Sequence, residues 1–171
     1  MNPVDRLQLE ATLEYFYGKG AAKHLPWTRV SCQRSRRSQR LKKVLLDGRL
    51  FATVREDGSV AFSLECARYL VRSAAFKESC IVVNDDAAQF VVRGKSLFSK
   101  HVVKAGKNVK PGLEVGLLDR EGKLLAVGKA ILPREYMGRI QSGAAVRVRE
   151  GILSAGGGKD LSSETGDPAL K

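Results

Sequence analysis

The feature of this sequence with the clearest chemistry is a run of cations in its amino-terminal third. Residues 29–43 contain seven arginines and lysines and no aspartate or glutamate. Cations this close together repel one another unless water or a polyanion offsets their charge. The run therefore indicates either a phosphate-binding surface or a solvated loop. Its members are Arg29, Arg34, Arg36, Arg37, Arg40, Lys42 and Lys43, of which we expect Arg34, Arg36, Arg37 and Arg40 to contact an anion.

A second candidate site is the segment Arg93-Gly94-Lys95-Ser96, which is followed by Lys100, His101 and Lys104. A glycine has no side chain to keep a phosphodiester at a distance, and neighbouring amides and cations can satisfy the phosphate oxygens. The segment therefore favours contact with a nucleic-acid backbone. Two alternatives stay open: Gly94 could end a helix, and His101 could be an ordinary polar strand residue.

The overall charge also favours a polyanionic partner. The chain has 171 residues, with 30 Lys and Arg against 18 Asp and Glu, for a net charge of +12. Only 6% of the residues are aromatic, which is few for a platform that stacks unpaired bases. Contact with the backbone of a structured RNA duplex is therefore the expected binding mode.

Residues suited to catalysis or metal binding are scarce. Asp85 and Asp86 are adjacent after a predicted strand, where carboxylates usually cap a helix. Gly94-Lys95-Ser96 resembles the end of a phosphate loop, but Gln89 stands where that loop needs its first glycine. Neither His24 nor His101 lies in a recognisable nucleophile motif. We therefore predict no enzyme activity, no metal and no cofactor.

The sequence also predicts a cytoplasmic protein that is not exported. No apolar run approaches the roughly 20 residues that span a bilayer, and residues 1–10 mix charged with apolar positions. Cys32, Cys66 and Cys80 form no CxxC pair, which favours reduced thiols over a disulfide framework or a zinc site.

Local signals in residues 1–79 predict an α+β unit. Asn2 and Pro3 can start a helix that ends at Gly18. Alternating strand residues surround Asp47-Gly48 and Asp57-Gly58, two pairs typical of hairpin turns. Ser63 is a suitable cap for a helix whose apolar stripe continues to Ala74.

Residues 80–150 contain several short strands at close spacing, which predict a small barrel. Asn84 can start a short helix after the first of these strands, and Pro133 can start another. From Gly151 to Lys171 the chain becomes rich in glycine, serine and mixed charge, so we expect a flexible tail.

This second half resembles the PUA domain, an RNA-binding pseudo-barrel of tRNA- and rRNA-modifying enzymes and of ribosome-assembly factors. The resemblance implies that the glycine segment and the closing strand meet across an RNA groove, with Arg147 and Arg149 beside Gly94 and Lys95. Solvent-facing positions on an edge strand are the alternative for the two arginines. The matching segments are Ile81–Val83, Phe90–Phe98, His101–Val103, Pro111-Gly112, Glu114-Val115, Leu124–Ala130 and Gly143–Arg149.

One short segment departs from the PUA pattern. Gly112-Leu113-Glu114 stands where many family members have Gly-Asp before the central strand. We interpret this as a change of register at an exposed turn.

Residues 28–79 resemble the small domain that precedes the PUA module in the archaeal tRNA-guanine transglycosylase that initiates archaeosine formation. The segments that carry this resemblance are Val30–Arg40, Leu46–Leu50, Val54–Gly58 and Leu64–Leu70. It implies a freestanding counterpart of the part of that enzyme that holds tRNA. The catalytic barrel of the transglycosylase, which would supply zinc ligands and catalytic carboxylates, has no counterpart in the sequence.

Together, these observations predict an α+β protein in which a pre-PUA α+β domain precedes a PUA-type β pseudo-barrel with short helices. The expected function is non-catalytic binding of structured RNA, with tRNA favoured and rRNA next. The alternative is an adaptor in ribosome biogenesis or translation. Possible protein partners are an RNA-modifying enzyme or a ribosomal subunit, and no membrane is expected.

Overall fold

The computed structural model describes residues 1–154, which form four α-helices and ten β-strands. The helices are α1 (Pro3–Tyr17), α2 (Leu64–Leu70), α3 (Ala74–Lys77) and α4 (Asp85–Val91). The strands are β1 (Val30–Arg34), β2 (Leu41–Leu46), β3 (Arg49–Val54), β4 (Val60–Phe62), β5 (Cys80–Val83), β6 (Leu97–Phe98), β7 (Val102–Ala105), β8 (Glu114–Leu118), β9 (Leu124–Ala130) and β10 (Ala144–Gly151). Two 3₁₀ turns cover Ser99–His101 and Arg134–Tyr136.

The amino-terminal half is an antiparallel sheet in the order β1-β2-β3-β4 with helices packed against it. As predicted, α1 starts at a cap, where Asn2 Oδ1 accepts a hydrogen bond of 3.0 Å from the Val4 amide. Both predicted hairpins are present. At the first, Asp47 and Gly48 have φ angles of 48° and 81°, which match the right-handed twist of the flanking strands.

The helix predicted from Ser63 is shorter than expected. Ser63 Oγ caps α2 by accepting a hydrogen bond of 3.2 Å from the Cys66 amide, but α2 ends at Leu70. Ser73 is buried and donates a hydrogen bond of 3.0 Å to the Gly20 carbonyl, and α3 starts immediately after it. The predicted helix is therefore interrupted at Ser73, and its last predicted residue, Ala74, belongs to α3.

The carboxy-terminal half is a six-stranded sheet in the order β6-β10-β9-β8-β5-β7. Its two outermost strands, β6 and β7, are separated in sequence only by Ser99–His101. So short a connection forces the sheet to curl until its edges nearly meet, which confirms the predicted pseudo-barrel. We call this junction the seam. Buried Ser99 holds it, because its amide donates to Gly143 O at 3.0 Å and its hydroxyl to Tyr136 O at 3.2 Å.

The final part of the described chain differs from two predictions. The helix predicted from Pro133 is only the 3₁₀ turn Arg134–Tyr136. Strand β10 continues to Gly151, and Ile152 packs against the core, so the start of the predicted tail belongs to the fold. Residues 155–171 of the predicted flexible tail lie outside the described residues.

The two halves share a hydrophobic core. Buried Phe62 and Phe76 belong to the same apolar cluster as Leu118, Leu124 and Val127 of the barrel. The barrel also has a second cluster of its own, which is centred on residues such as Ile81 and Val115. Burial of these side chains against one another holds α2 to β9 and β4 to β8.

Candidate nucleic-acid interface

The segment Arg93–Ser96 forms an exposed bend at the end of α4. Gly94 has a φ of 84°, its amide donates to Val91 O at 2.9 Å, and the Lys95 amide donates to Phe90 O at 3.1 Å. This is the Schellman arrangement, in which a left-handed glycine ends a helix. The helix-ending role considered for Gly94 is therefore present. It leaves the side chains of Arg93, Lys95 and Ser96 exposed around the bend.

The end of β10 fixes the position of this bend. The Leu153 amide donates to Val92 O at 2.8 Å. A Cβ on Gly151 would lie 2.4 Å from Val92 O and 2.5 Å from Val91 O, so only glycine allows this approach. The closing strand and the end of α4 thus pack backbone against backbone.

Strand pairing brings the chain around Arg147 next to the strand that follows the bend. Val146 pairs with Leu97 in the ladder between β10 and β6, and Arg147 and Ser96 directly adjoin this pair in sequence. Across the other edge of β10, Arg147 pairs with Lys129 of β9, and both side chains are exposed. Lys129 is a cation of this surface that the sequence analysis did not select, because its position depends on strand pairing.

Two aromatic side chains also flank the bend. Phe90 at the end of α4 is 54% exposed, and Phe98 in β6 is 51% exposed. The low aromatic content favours contact with a duplex backbone over stacking of unpaired bases. Each ring lies four residues from Gly94 in sequence, and an exposed ring can stack on an unpaired base.

Arg149 has a different role from the one the sequence analysis gave it. Its Nη2 donates to Glu114 Oε2 at 2.8 Å and to Phe62 O at 2.7 Å, and its side chain is only 23% exposed. A register shift between Val148 and Glu150 accompanies this change in direction. Moreover, β10 lies between β6 and β9, so it is not an edge strand.

Glu114 is the partner of two guanidinium groups. Its side chain is 1% exposed, and its two carboxylate oxygens accept hydrogen bonds of 2.8 Å from Arg55 and from Arg149. The turn at Gly112 is exposed as expected, but Glu114 is buried between the two halves. The departure from the family pattern therefore lies in the interdomain contact as well as at an exposed turn.

Lys100, His101 and Lys104 lie around the seam, at the other end of β6 from the Gly94 bend. Lys100 and Lys104 are exposed, and His101 Nδ1 lies 3.2 Å from Asn84 Nδ2. Lys104 lines a groove of about 410 Å³, which also holds two cations that the sequence analysis did not select, Arg134 and Arg139. These two come from the connection between β9 and β10, and only the curled sheet brings them to β7.

The amino-terminal cation run divides into paired and unpaired members. Arg29 forms an ion pair with Asp47, whose pKa is lowered by this partner, and Arg34 forms one with Asp5 of α1. The remaining five have no carboxylate within ion-pair distance in residues 1–154. They are Arg36, Arg37, Arg40, Lys42 and Lys43.

Other chemistry is limited in the described part of the chain. Burial raises the pKa of the Cys80 thiol to about 12 and raises that of Cys66 well above its usual range. Cys32 is partly exposed. Within residues 1–154 there is no group of three His, Cys, Asp or Glu side chains placed to hold a metal ion. None of the helices found there has the length and apolar character needed to cross a bilayer.

Two family models match this chain. Residues 80–152 match the PUA domain, and residues 8–77 match the patch-forming domain C2 of tRNA-guanine transglycosylase. The tRNA-guanine(15) transglycosylase of Thermococcus kodakarensis is 35% identical over 148 residues, which are 86% of this chain and 25% of that protein. That of Methanothermobacter thermautotrophicus is 30% identical over 88% of this chain and 23% of that protein. The chain thus spans about a quarter of the length of these relatives.

Solved structures support the fold. A protein from Pyrococcus horikoshii superposes with a TM-score of 0.68 over 91% of this chain and 94% of its own, at 19% identity. A PUA domain from Aeropyrum pernix superposes at 0.63 over 91% and 85%, at 18% identity. Residues 80–152 therefore form a PUA domain, residues 8–77 match the patch-forming C2 domain, and together they resemble the carboxy-terminal region of the archaeal tRNA-guanine(15) transglycosylases.

Proposed function

We propose that this chain is a non-catalytic RNA-binding protein of the cytoplasm that holds structured RNA, with tRNA as the favoured ligand. The observation that carries the proposal is the bend at Gly94, with exposed Arg93, Lys95 and Ser96 side chains, together with exposed Arg147 and Lys129 on the adjacent strands β10 and β9 of the PUA barrel. The bend presents a glycine, flanking cations and a serine hydroxyl together. Such a surface suits close contact with phosphates and riboses, which position a protein on RNA.

The choice of tRNA rests on the relatives. The relatives that match most of this chain are named tRNA-guanine(15) transglycosylases, and the match covers about a quarter of the length of each. We infer that the chain holds tRNA in the orientation that a separate RNA-modifying enzyme requires. No specific feature of residues 1–154 favours the alternative, an adaptor on rRNA or on a ribosomal subunit.

The primary test is electrophoretic mobility shift with an unmodified tRNA transcript at several salt concentrations. If about 4 to 6 phosphates are neutralised, the slope of log affinity against log salt should be about −3 to −5. Gly94→Glu should weaken binding at least about tenfold, because it adds bulk and a negative charge where the backbone approaches RNA. Gly94→Ala is the matched control, since it introduces the same backbone strain without the charge. A salt-independent affinity, or full affinity of a folded Gly94→Glu variant, would contradict the proposal.

The identity of the RNA and the absence of catalysis have separate tests. Crosslinking in cells, followed by sequencing of the bound RNA, should yield tRNA reads, whereas reads at discrete rRNA positions would support the adaptor. Purified protein incubated with tRNA should leave the nucleoside composition unchanged by mass spectrometry. A modified nucleoside formed by this chain alone would overturn the non-catalytic assignment.

A further inference from the structure

The turn between β1 and β2 has a defined shape that its own hydrogen bonds maintain. The Ser35 amide donates to Arg40 O at 2.9 Å, and the Gln39 amide donates to Ser35 O at 2.9 Å. Gln39 has a φ of 55°, in the left-handed region, and its side chain donates to Arg36 O at 3.1 Å. The cations on this turn are therefore held by an ordered backbone.

Arg34 fixes the turn to the rest of the domain. Its Nη1 donates to Gln39 O at 2.6 Å, while its Nη2 pairs with Asp5 Oδ1 in the first turn of α1. The Asp5 side chain is only 10% exposed. The charge of Arg34 is thus offset within the protein, and its guanidinium connects α1 to the carbonyl of the strained residue.

Four of the five remaining cations, all except Arg40, surround an open concavity. It has a volume of about 410 Å³, and Arg36, Arg37, Lys42 and Lys43 line it together with Arg34, Gln33 and Ser35. None of these lining residues is apolar or acidic. Within the described residues these four cations have no carboxylate partner, so they repel one another, and a bound anion would relieve that repulsion.

We propose that this concavity is a second binding site for RNA phosphates, on the C2 domain and separate from the Gly94 bend. The proposal rests on the RNA-binding function proposed above and extends it to Lys42 and Lys43. RNA is favoured over an acidic protein segment because protein interfaces have an apolar centre, which this lining lacks. Arg36, Arg37, Lys42 and Lys43 contact the phosphates, and Arg34 is a positioning residue.

The decisive experiment compares two double variants that remove the same charge. Lys42→Gln/Lys43→Gln removes two cations that line the concavity. Arg29→Gln/Arg68→Gln removes two cations that are already paired, with Asp47 and Glu65, and serves as the control. With the tRNA transcript, the first variant should bind about tenfold more weakly at 0.15 M salt and have a slope about 2 smaller in magnitude. The control should keep the wild-type slope.

The salt slope also separates positioning from contact at Arg34. Arg34→Gln should weaken RNA binding through the loosened turn and keep a slope closer to wild type than Lys42→Gln, which loses a phosphate contact. A slope reduced equally by the two variants would make Arg34 a direct contact and overturn its positioning role.

The outcomes distinguish this site from the proposed function as a whole. If Gly94→Glu weakens binding but Lys42→Gln/Lys43→Gln does not, the concavity is not an RNA site and the PUA surface remains. If the double variant instead loses a protein partner in a pull-down while its RNA affinity is unchanged, the site binds an acidic protein segment. If the wild-type protein does not bind RNA, both proposals are wrong.

Discussion

Arg147 and Arg149 lie two residues apart on β10 and have different surroundings. Arg147 is exposed and pairs with Lys129 of β9, whereas Arg149 is half-buried against Glu114. Simple strand alternation would place both side chains on one face. The register shift after Val148 breaks that alternation, so the two side chains have different surroundings.

We therefore expect substitutions of these two arginines to have separable effects. Arg147→Gln should weaken tRNA binding about fivefold or more, and it should lower the free energy of unfolding less than Arg149→Gln, because the Arg147 side chain is exposed. Arg149→Gln should lower the free energy of unfolding by about 2 kcal/mol, because it removes one partner of a buried carboxylate that retains Arg55. Urea denaturation and mobility shift on both variants test this, and equal loss of RNA affinity by the folded variants would contradict it.

At the scale of elements, the contact between β10 and the end of α4 determines the shape of the proposed RNA surface. Gly151 allows the strand to reach the carbonyls of Val91 and Val92, three residues or fewer from Gly94. The surface therefore depends on a glycine that lies outside the bend itself.

Gly151→Ala should impair both stability and RNA binding. Its Cβ would lie 2.4 Å from Val92 O, so the end of α4 must move away. Overpacking of this kind costs about 1–3 kcal/mol. Gly122→Ala is the control: it has a positive φ of 84° but open space around it, so it should cost about 1 kcal/mol and leave RNA affinity unchanged. Thermal unfolding and tRNA titration measure both effects, and a Gly151→Ala variant with wild-type stability would show that the backbone contact is looser than described.

At the scale of the whole molecule, polar contacts add to the shared core in holding the two halves together. Glu114 joins Arg55 of the first half to Arg149 of the second. Glu150 Oε2 accepts a hydrogen bond of 2.9 Å from the Leu64 amide at the start of α2. The barrel thus supplies a carboxylate to a helix of the other half, where the helix dipole favours negative charge.

Glu114→Gln should therefore destabilise the whole molecule. It leaves two partly buried guanidinium groups without their counter-charge, which we expect to lower the free energy of unfolding by about 2–4 kcal/mol. Arg55 and Arg149 come from different halves, which also share a core. We therefore expect the two halves of the variant to unfold together, in a single urea transition. A loss below about 0.5 kcal/mol would show that the ion pairs contribute no net stability.

Stability should also fall at alkaline pH. Burial raises the pKa of Cys80 to about 12 and raises the pKa of Cys66 and of Tyr17. An unfolded thiol loses its proton from about pH 9, while the folded one keeps it, so the unfolded state is favoured as the pH rises. The contribution of each thiol is complete below pH 9 and should fall by about 1.4 kcal/mol per pH unit above it.

Urea denaturation between pH 7 and pH 11 measures this decline. Cys80→Ala should make it shallower, although the variant starts from a lower stability because it leaves a small cavity. A free energy of unfolding that stays constant to pH 11 would contradict the expected titration of the buried thiols.

Much of this fold could be predicted from short stretches of sequence. The caps at Asn2 and Ser63, the hairpin at Asp47-Gly48 and the glycine that ends α4 are local arrangements, because side chains within a few residues satisfy the backbone groups. The order of segments in residues 80–150 indicated the PUA barrel in the same way. Net charge and its distribution indicated a polyanionic partner without any knowledge of the fold.

The role of each charged residue depended on contacts between distant parts of the chain. Arg34 meets Asp5 across 29 positions, Arg149 meets Glu114 across 35, and Arg55 meets Glu114 across 59. Whether a cation is neutralised, buried or left open to RNA follows from its neighbours in space, and sequence spacing carries no record of them. Composition therefore predicted a basic protein, whereas tertiary packing determines which of its arginines and lysines are paired with carboxylates and which are exposed.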